Sequence, residues 1–180
     1  MSRSFAGAGV ALVTPFTRSG DLDEATLRRL VKRQVERGID VLVPCGTTGE
    51  SATLTAEEQK RVIAITVEEA AGRVPVLAGA GANDTRVAVE KSKAAAALGA
   101  SGILSVGPYY NKPTPEGYYR HFSTIADAVT IPIVVYNVPG RTGSNIDVKT
   151  QLRLAAHPNI TAVKEASGNL GQVMEILRDR

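Results

Sequence analysis

Tryptophan is absent from this chain of 180 residues, cysteine occurs only as Cys45, and histidine occurs only as His121 and His157. A single cysteine excludes a disulfide framework and fits a reducing, cytoplasmic setting. Two isolated histidines without clustered Cys, Asp or Glu supply no ligand set at metal spacing, so no metal and no other cofactor is expected. Aromatic residues are few, five Tyr and three Phe, and 21 Lys+Arg against 18 Asp+Glu leave a formal charge of only +3 with the signs interspersed. Both shortages argue against a nucleic-acid partner, which calls for a concentrated cationic face. Long hydrophobic runs are missing too. Each apolar stretch breaks at Gly or Pro well short of the ~20 residues of a membrane helix, so no membrane partner is expected. The opening MSRSFAGAGVALVTPF is interrupted by Thr and Pro and runs into a patterned strand, unlike a signal peptide.

What the chain does contain is a repeat. Short β-branched runs stand at residues 10–13 (VALV), 41–45 (VLVPC), 75–80 (PVLAGA), 102–106 (GILSV), 131–138 (IPIVVYNV) and 160–166 (ITAVKEA). A repeat of ~30 residues alternating strand with helix is the mark of βαβ units, whose crossovers force the strands to be parallel. The fold class is α/β. Six such units fit 180 residues, as one domain over 1–180, whereas a closed eight-unit barrel needs roughly 250. Length favours an open, doubly wound sheet; the absence of a GxGxxG after the first strand argues the other way. Spacing alone leaves open sheet and truncated barrel both standing.

The helices carry their own punctuation. Asp21 with Glu24, and Thr55 with Glu58, stand at capping-box spacing, and Pro115 follows Thr114 as Pro follows an N-cap. Leu27, Leu30, Val31 and Val35 recur at helical spacing before Gly38, and the Ala-rich run from Val87 ends at Gly99. Leu170, Val173, Met174 and Leu177 begin a further amphipathic helix.

Ligands of parallel α/β folds bind beyond the carboxyl ends of the strands. The segments there are GTTGES (46–51), GAGANDT (79–85), GPYYNKPTP (107–115), YNVPGRTG (136–143) and KEASGN (164–169). Of seven lysines, five fall on charged helix faces and Lys112 in a loop, so only Lys164 interrupts an apolar strand. A poorly solvated lysine loses part of its preference for the ammonium form and becomes a nucleophile toward carbonyls; the plainer alternative is a strand-end lysine reaching to water. With period-two alternation, Tyr136 shares a strand face with Pro132 and Val134, and Lys164 with Ile160 and Ala162. If those strands adjoin, the phenol and the amine meet, and imine chemistry needs such a proton donor and acceptor. GTTGES offers backbone N–H groups and the hydroxyls of Thr47 and Thr48 to a carboxylate or phosphate, or else merely builds a turn. Arg141 can grip a carboxylate bidentately, although most loop arginines do not. Cys45 reads as a small core residue inside a strand.

Taken in order and at these spacings, GTTGES, GPYYNKP, YNVPGRTG and VKEASGN closely resemble the dihydrodipicolinate (4-hydroxy-tetrahydrodipicolinate) synthases of the pyruvate-dependent class I aldolase superfamily. The likeness runs from about Gly9 to Leu170. It implies a (β/α)8 TIM barrel, here truncated to six βα units with strands seven and eight and the C-terminal helices absent. It implies a lyase of lysine and diaminopimelate biosynthesis, in which Lys164 forms a Schiff base with pyruvate and the enamine attacks L-aspartate 4-semialdehyde. By the same likeness Tyr136 is the acid/base group, linked through Thr47 to Tyr110, which reaches into a neighbouring subunit of a homotetramer. Thr47 and Thr48 would hold the pyruvate carboxylate, and Arg141 that of the semialdehyde. Sialic acid lyases and 2-keto-3-deoxy sugar acid aldolases share the lysine and tyrosine, but GRTG after YNVP together with YYNKP favours the synthase. The truncation keeps an inactive fragment of such an enzyme as the alternative. Lysine feedback is expected to be absent, because Ala56, Gln59 and Val87 stand where regulated members carry effector-binding side chains, with only Asn83 retained.

Overall fold

The structure, a computed structural model, describes residues 5–180. The reading of the N-terminal stretch begins at Met1–Ser4, which lie outside the described residues. The chain resolves into two compact units, one comprising the residues up to Gly79 together with Ala94–Ile103, the other Ala80–Lys93 together with Leu104–Arg180.

In the first unit, strand β1 (Gly9–Ala11) runs parallel to β2 (Val41–Val43), with Gly9 opposite Val41 and Ala11 opposite Val43. All three β2 residues are buried, as expected of a parallel strand covered on both faces. Leu42 is bridged in parallel to Val76, just ahead of β3 (Leu77–Gly79). Helices α1 (Glu24–Glu36) and α2 (Ala56–Ala70) belong to the same unit. Leu27 and Val31 of α1 are fully buried, and α2 buries Val62, Ile63 and Ile65. Arg28 joins the two helices through Glu69 (2.7 Å) and Glu68 (2.8 Å), and Arg61 through Glu24 (2.5 Å). Such exposed pairs contribute little to stability, ~0–1 kcal/mol each, but they orient the two helices. The capping box at Thr55 and Glu58 is present in full.

The α1 cap differs from expectation. Asp23, not Asp21, accepts from the Thr26 N–H, because Asp21 is taken up in a turn. Thr17 N–H donates to Asp21 C=O (2.8 Å), and Ser19 Oγ donates to the Asp21 carboxylate. Cys45 is buried as expected but lies in the turn after β2 rather than inside the strand, with φ +53°, and its thiol donates to Gln59 C=O at 3.7 Å. Gly79 explains why that turn can sit so close to β3: a Cβ there would stand 2.0 Å from the Cys45 carbonyl oxygen.

The second unit holds the three neighbouring strands β4 (Gly102–Val106, begun in the first unit), β5 (Ile133–Asn137) and β6 (Ile160–Glu165). Helix α3 (Thr85–Ala97) contributes to both units; α4 (Pro115–Asp127), α5 (Pro139–Thr142), α6 (Val148–Ala155) and α7 (Leu170–Asp179) lie in the second. Thr114 caps α4 by accepting from Gly117 N–H, with Pro115 in the first turn, as expected. Tyr118, Phe122 and Ile125 face its core. Arg153 of α6 stacks 3.5 Å over the Tyr119 ring and pairs with Glu116, fixing α6 against α4. The four-residue helix α5 was not foreseen in a segment read as loop; Pro139 starts it and Gly143, at φ +77°, ends it.

Helix α7 departs furthest from the pattern. Its buried positions are Gln172 and Ile176, while Leu170, Met174 and Leu177 are 76%, 69% and 51% exposed. The helix is amphipathic as expected, but of its expected apolar stripe only Val173 is half-buried, the other three side chains standing exposed.

Candidate functional site

The ends of β5 and β6 bring together the two residues that period-two alternation placed on one face. The strands are parallel neighbours, Tyr136 is the register partner of Lys164, and the Lys164 Nζ sits 4.2 Å from the centroid of the Tyr136 ring. The alternation is interrupted once: Ile133 pairs with Ile160 and Val134 with Ala162, so Thr161 is an extra residue bulged from β6. Ile160 therefore does not share the Lys164 face as expected, being buried while Ala162 and Lys164 are exposed.

Tyr136 is 8% exposed, and its C=O accepts from the Gly107 N–H at 2.9 Å, which anchors the strand end. Among the described residues its phenol oxygen makes no hydrogen bond, and the Lys164 ammonium has neither carboxylate nor hydrogen-bond partner. Partial desolvation lowers the Lys164 pKa from the ordinary lysine value. That direction is the one a nucleophilic amine requires, since burial penalises the charged form. The side chain is nonetheless exposed overall, less enclosed than an apolar strand position suggests.

Behind that face is a cluster the sequence did not announce. Glu165, next to Lys164 and turned the other way, accepts from Gln151 Nε2 (2.7 Å), Gln172 Nε2 (2.9 Å), Asn137 Nδ2 (3.0 Å) and the Ser167 N–H (2.9 Å). Burial raises its pKa, but the donations from Gln151, Asn137, Ser167 and Gln172 outweigh it and leave the carboxyl below the usual glutamate value. The sequence offered one signal, Gln172 within the amphipathic helix that begins at Leu170; both Gln151 and Gln172 are buried. An apolar cavity of about 390 Å³ opens on the same side, lined by Val163, Glu165, Leu154 and Ile176 among others. Neither Lys164 nor Tyr136 lines it, so it is separate from the amine–phenol pair.

The YYNKP and GRT segments adjoin. Tyr110 N–H donates to Thr142 C=O at 3.4 Å, while the Tyr110 side chain projects outward, 91% exposed, from a backbone at φ +73°. An aromatic residue in the left-handed region carries strain of order 1–3 kcal/mol. Arg141 is exposed in α5, and its guanidinium has no partner among the described residues.

In the first unit, Thr47 and Thr48 are exposed on the turn after β2. The cradle there is smaller than expected. Gly49 N–H donates to Gly46 C=O (3.0 Å) and Glu50 N–H to Thr47 C=O (3.1 Å), so those amides are consumed by the turn itself. The helix that follows starts only at Ala56, which removes the α2 N-terminus from this segment. Gln59 is also committed: it is buried, and its Nε2 donates to Ser51 C=O at 2.6 Å.

Among the described residues, no group of three or more His, Cys, Asp or Glu side chains could hold a metal ion, and no helix is long and apolar enough to cross a membrane. The histidines are structural: His121 is 4% exposed with its Nδ1 2.8 Å from Thr85 Oγ1, and His157 Nε2 meets Asp127 at 3.0 Å.

A parallel βα protein with an unpaired amine over a phenol where two adjoining strands end is the class that fold and site define. The chain belongs to the dihydrodipicolinate synthetase family, whose sequence pattern matches residues 4–180. It is 59% identical over 179 residues to the 4-hydroxy-tetrahydrodipicolinate synthase of Chloroherpeton thalassium, covering 99% of this chain and 59% of the relative. The enzyme of that name from Chlorobium phaeobacteroides is 57% identical over 180 residues, covering 99% and 61%. Among solved structures, the chloride-inhibited dihydrodipicolinate synthase of Acinetobacter baumannii, complexed with pyruvate, superposes with a TM-score of 0.95 at 45% identity, covering 97% of this chain and 60% of that one. The lysine-bound enzyme of Cyanidioschyzon merolae gives 0.95 at 44% identity, covering 98% and 61%. The fold is accordingly a partial (β/α) TIM barrel, which resolves the choice between open sheet and truncated barrel. The chain spans about three fifths of the length of the relatives it matches.

Proposed function

We propose that the chain carries the Schiff-base centre of a 4-hydroxy-tetrahydrodipicolinate synthase, a lyase that condenses pyruvate with L-aspartate 4-semialdehyde in lysine and diaminopimelate biosynthesis. The observation that supports it is the Lys164 amine, unpaired and partly desolvated, 4.2 Å over Tyr136. The neutral amine adds to the C2 carbonyl of pyruvate; loss of water leaves an iminium, and loss of a proton from the methyl carbon gives the enamine. That carbon attacks the aldehyde, whose oxygen takes up a proton. The amino group of the semialdehyde then attacks the imine carbon, closes the ring and expels the Lys164 amine. One water leaves overall and no oxidant or reductant is needed.

Every step moves a proton, and Tyr136 is the group placed to carry it. On this reading Thr47 and Thr48 donate to the pyruvate carboxylate, with Thr47 also relaying protons toward Tyr110, and Arg141 takes the carboxylate of the semialdehyde through its free guanidinium. Tyr110 reaches a neighbouring subunit, which its outward, strained setting supports, and the assembly is a cytoplasmic homotetramer. No metal or cofactor is required by this chemistry.

The experiment is to supply both substrates and follow the cyclic product by mass. Product formation that is lost in Lys164→Ala supports the synthase. Pyruvate binding with no product formed would contradict it. Turnover of a sugar aldehyde but not the semialdehyde would favour a related pyruvate aldolase.

A further inference from the structure

Lys164 stands on a strand whose backbone pairing is not self-registering. The bulge at Thr161 has already shifted β6 by one residue against β5. A further slip of one would carry Lys164 to the opposite face, because side chains alternate with period two. Backbone N–H and C=O groups are the same at every residue, so the register has to be set by side chains.

The last pair of the ladder is Asn137 opposite Glu165. Asn137 is 1% exposed; its Nδ2 donates to both carboxylate oxygens of Glu165 at 3.0 Å, and its Oδ1 accepts from the Ile146 N–H at 3.0 Å. Its C=O accepts from the Ala166 N–H at 2.8 Å, which holds the chain just past Glu165. Gln151 brings α6 and Gln172 brings α7 to the same carboxylate, and Gln172 also exchanges hydrogen bonds with Asn145. Among the described residues no cation pairs with Glu165. A carboxylate held only by neutral donors keeps its place through directed hydrogen bonds, and a slip would leave it facing Tyr136 without them.

We infer that Glu165 is a positioning residue, whose carboxylate, held by Asn137, Gln151 and Gln172, fixes the strand register that sets the Lys164 amine over the Tyr136 ring. The functional weight of this inference rests on Lys164 being the nucleophile proposed above. Glu165 touches no reacting atom, and the cause of the lowered Lys164 pKa is partial desolvation, so its action on the amine is geometric rather than through charge.

The test uses the chain with its lysines converted to 13C-dimethyl-lysines, which keep their charge, and the Lys164 signal assigned by Lys164→Arg. Methyl groups above an aromatic face are shielded, so the Lys164 signal of the unsubstituted protein is upfield of the other lysines. Glu165→Gln keeps the side-chain length but turns an NH2 toward N–H donors; the expected result is loss of that upfield shift with the other lysine signals unmoved. Glu165→Asp keeps charge and acceptors on a shorter stem and is expected to retain part of it. An upfield shift unchanged in folded Glu165→Gln overturns the inference. Should that variant not fold, Gln172→Leu removes one donor and is expected to weaken the shift; no weakening overturns the inference equally. Pyruvate with borohydride, applied to the unsubstituted chain, is read separately: a Glu165-dependent shift without a pyruvate adduct leaves the positioning intact and removes the synthase reading.

Discussion

The Lys164 ammonium nitrogen lies 4.2 Å from the centroid of the Tyr136 ring, and the two residues are partners across adjoining parallel strands. Two effects act on the amine in opposite directions. The π face attracts the cation by ~0.5–1 kcal/mol at an exposed site, less than one pKa unit, and so favours the ammonium. Loss of water favours the neutral amine and lowers its pKa. The ring holds the amine in place at the strand end.

The pH dependence follows from that sign. Only the neutral amine attacks a carbonyl, and its fraction rises as pH rises through a pKa below the ordinary lysine value of 10.5. The initial rate of pyruvate trapping with cyanoborohydride, followed against pH, should rise and level off below that value. A midpoint coinciding with free lysine contradicts the desolvated site.

Tyr136→Phe keeps the ring under Lys164 and removes the hydroxyl. Adduct formation should persist, while the proton-transfer steps slow by ~100- to 10,000-fold, the range for lost general acid/base catalysis. Exchange of the pyruvate methyl protons with deuterated water, followed by NMR, reads those steps. Exchange at the unsubstituted rate would remove Tyr136 as proton carrier.

His121 makes the fold acid-sensitive. Burial pushes its pKa down from 6.5 to about 4, the nearby Asp84 charge acting weakly the other way. The unfolded chain thus takes up a proton near 6.5 and the folded chain only near 4, so stability is complete above 6.5 and falls as pH drops between those values. The loss is on the order of 3 kcal/mol. Denaturant midpoints across that window should slope less in His121→Gln than in the unsubstituted chain. Parallel slopes would assign the acid sensitivity elsewhere.

L-lysine should not bind at millimolar concentration. Val87 is exposed and uncharged, Gln59 is spent on Ser51, Glu58 on the Thr55 cap, and Glu57 pairs with Lys60 at 2.8 Å. An effector ammonium taken from water without a carboxylate partner goes uncompensated by several kcal/mol. Thermal midpoints with and without L-lysine should coincide. A rise that disappears in Asn83→Ala would reveal a binding site of another form.

The strands were legible because buried parallel strands read as short β-branched runs, and the Tyr136–Lys164 meeting was legible because alternation has period two. The bulge at Thr161 was not, since an extra residue leaves no trace in composition. The α1 cap was misplaced by two residues because Asp21 and Asp23 are both good caps, and only the turn closed by Thr17 decides between them. Glu165 was missed for a different reason. Its donors come from residues 137, 151, 167 and 172, and nothing local in KEASGN marks a carboxylate that is held from four separate places.

The most direct test of the account is pyruvate trapping with borohydride, read by intact mass and then by peptide mapping. One carboxyethyl group per chain, located on Lys164 and absent from Lys164→Ala, is the result predicted. Labelling on Lys112 with Lys164 unmodified, or no label at saturating pyruvate in the folded chain, would contradict it.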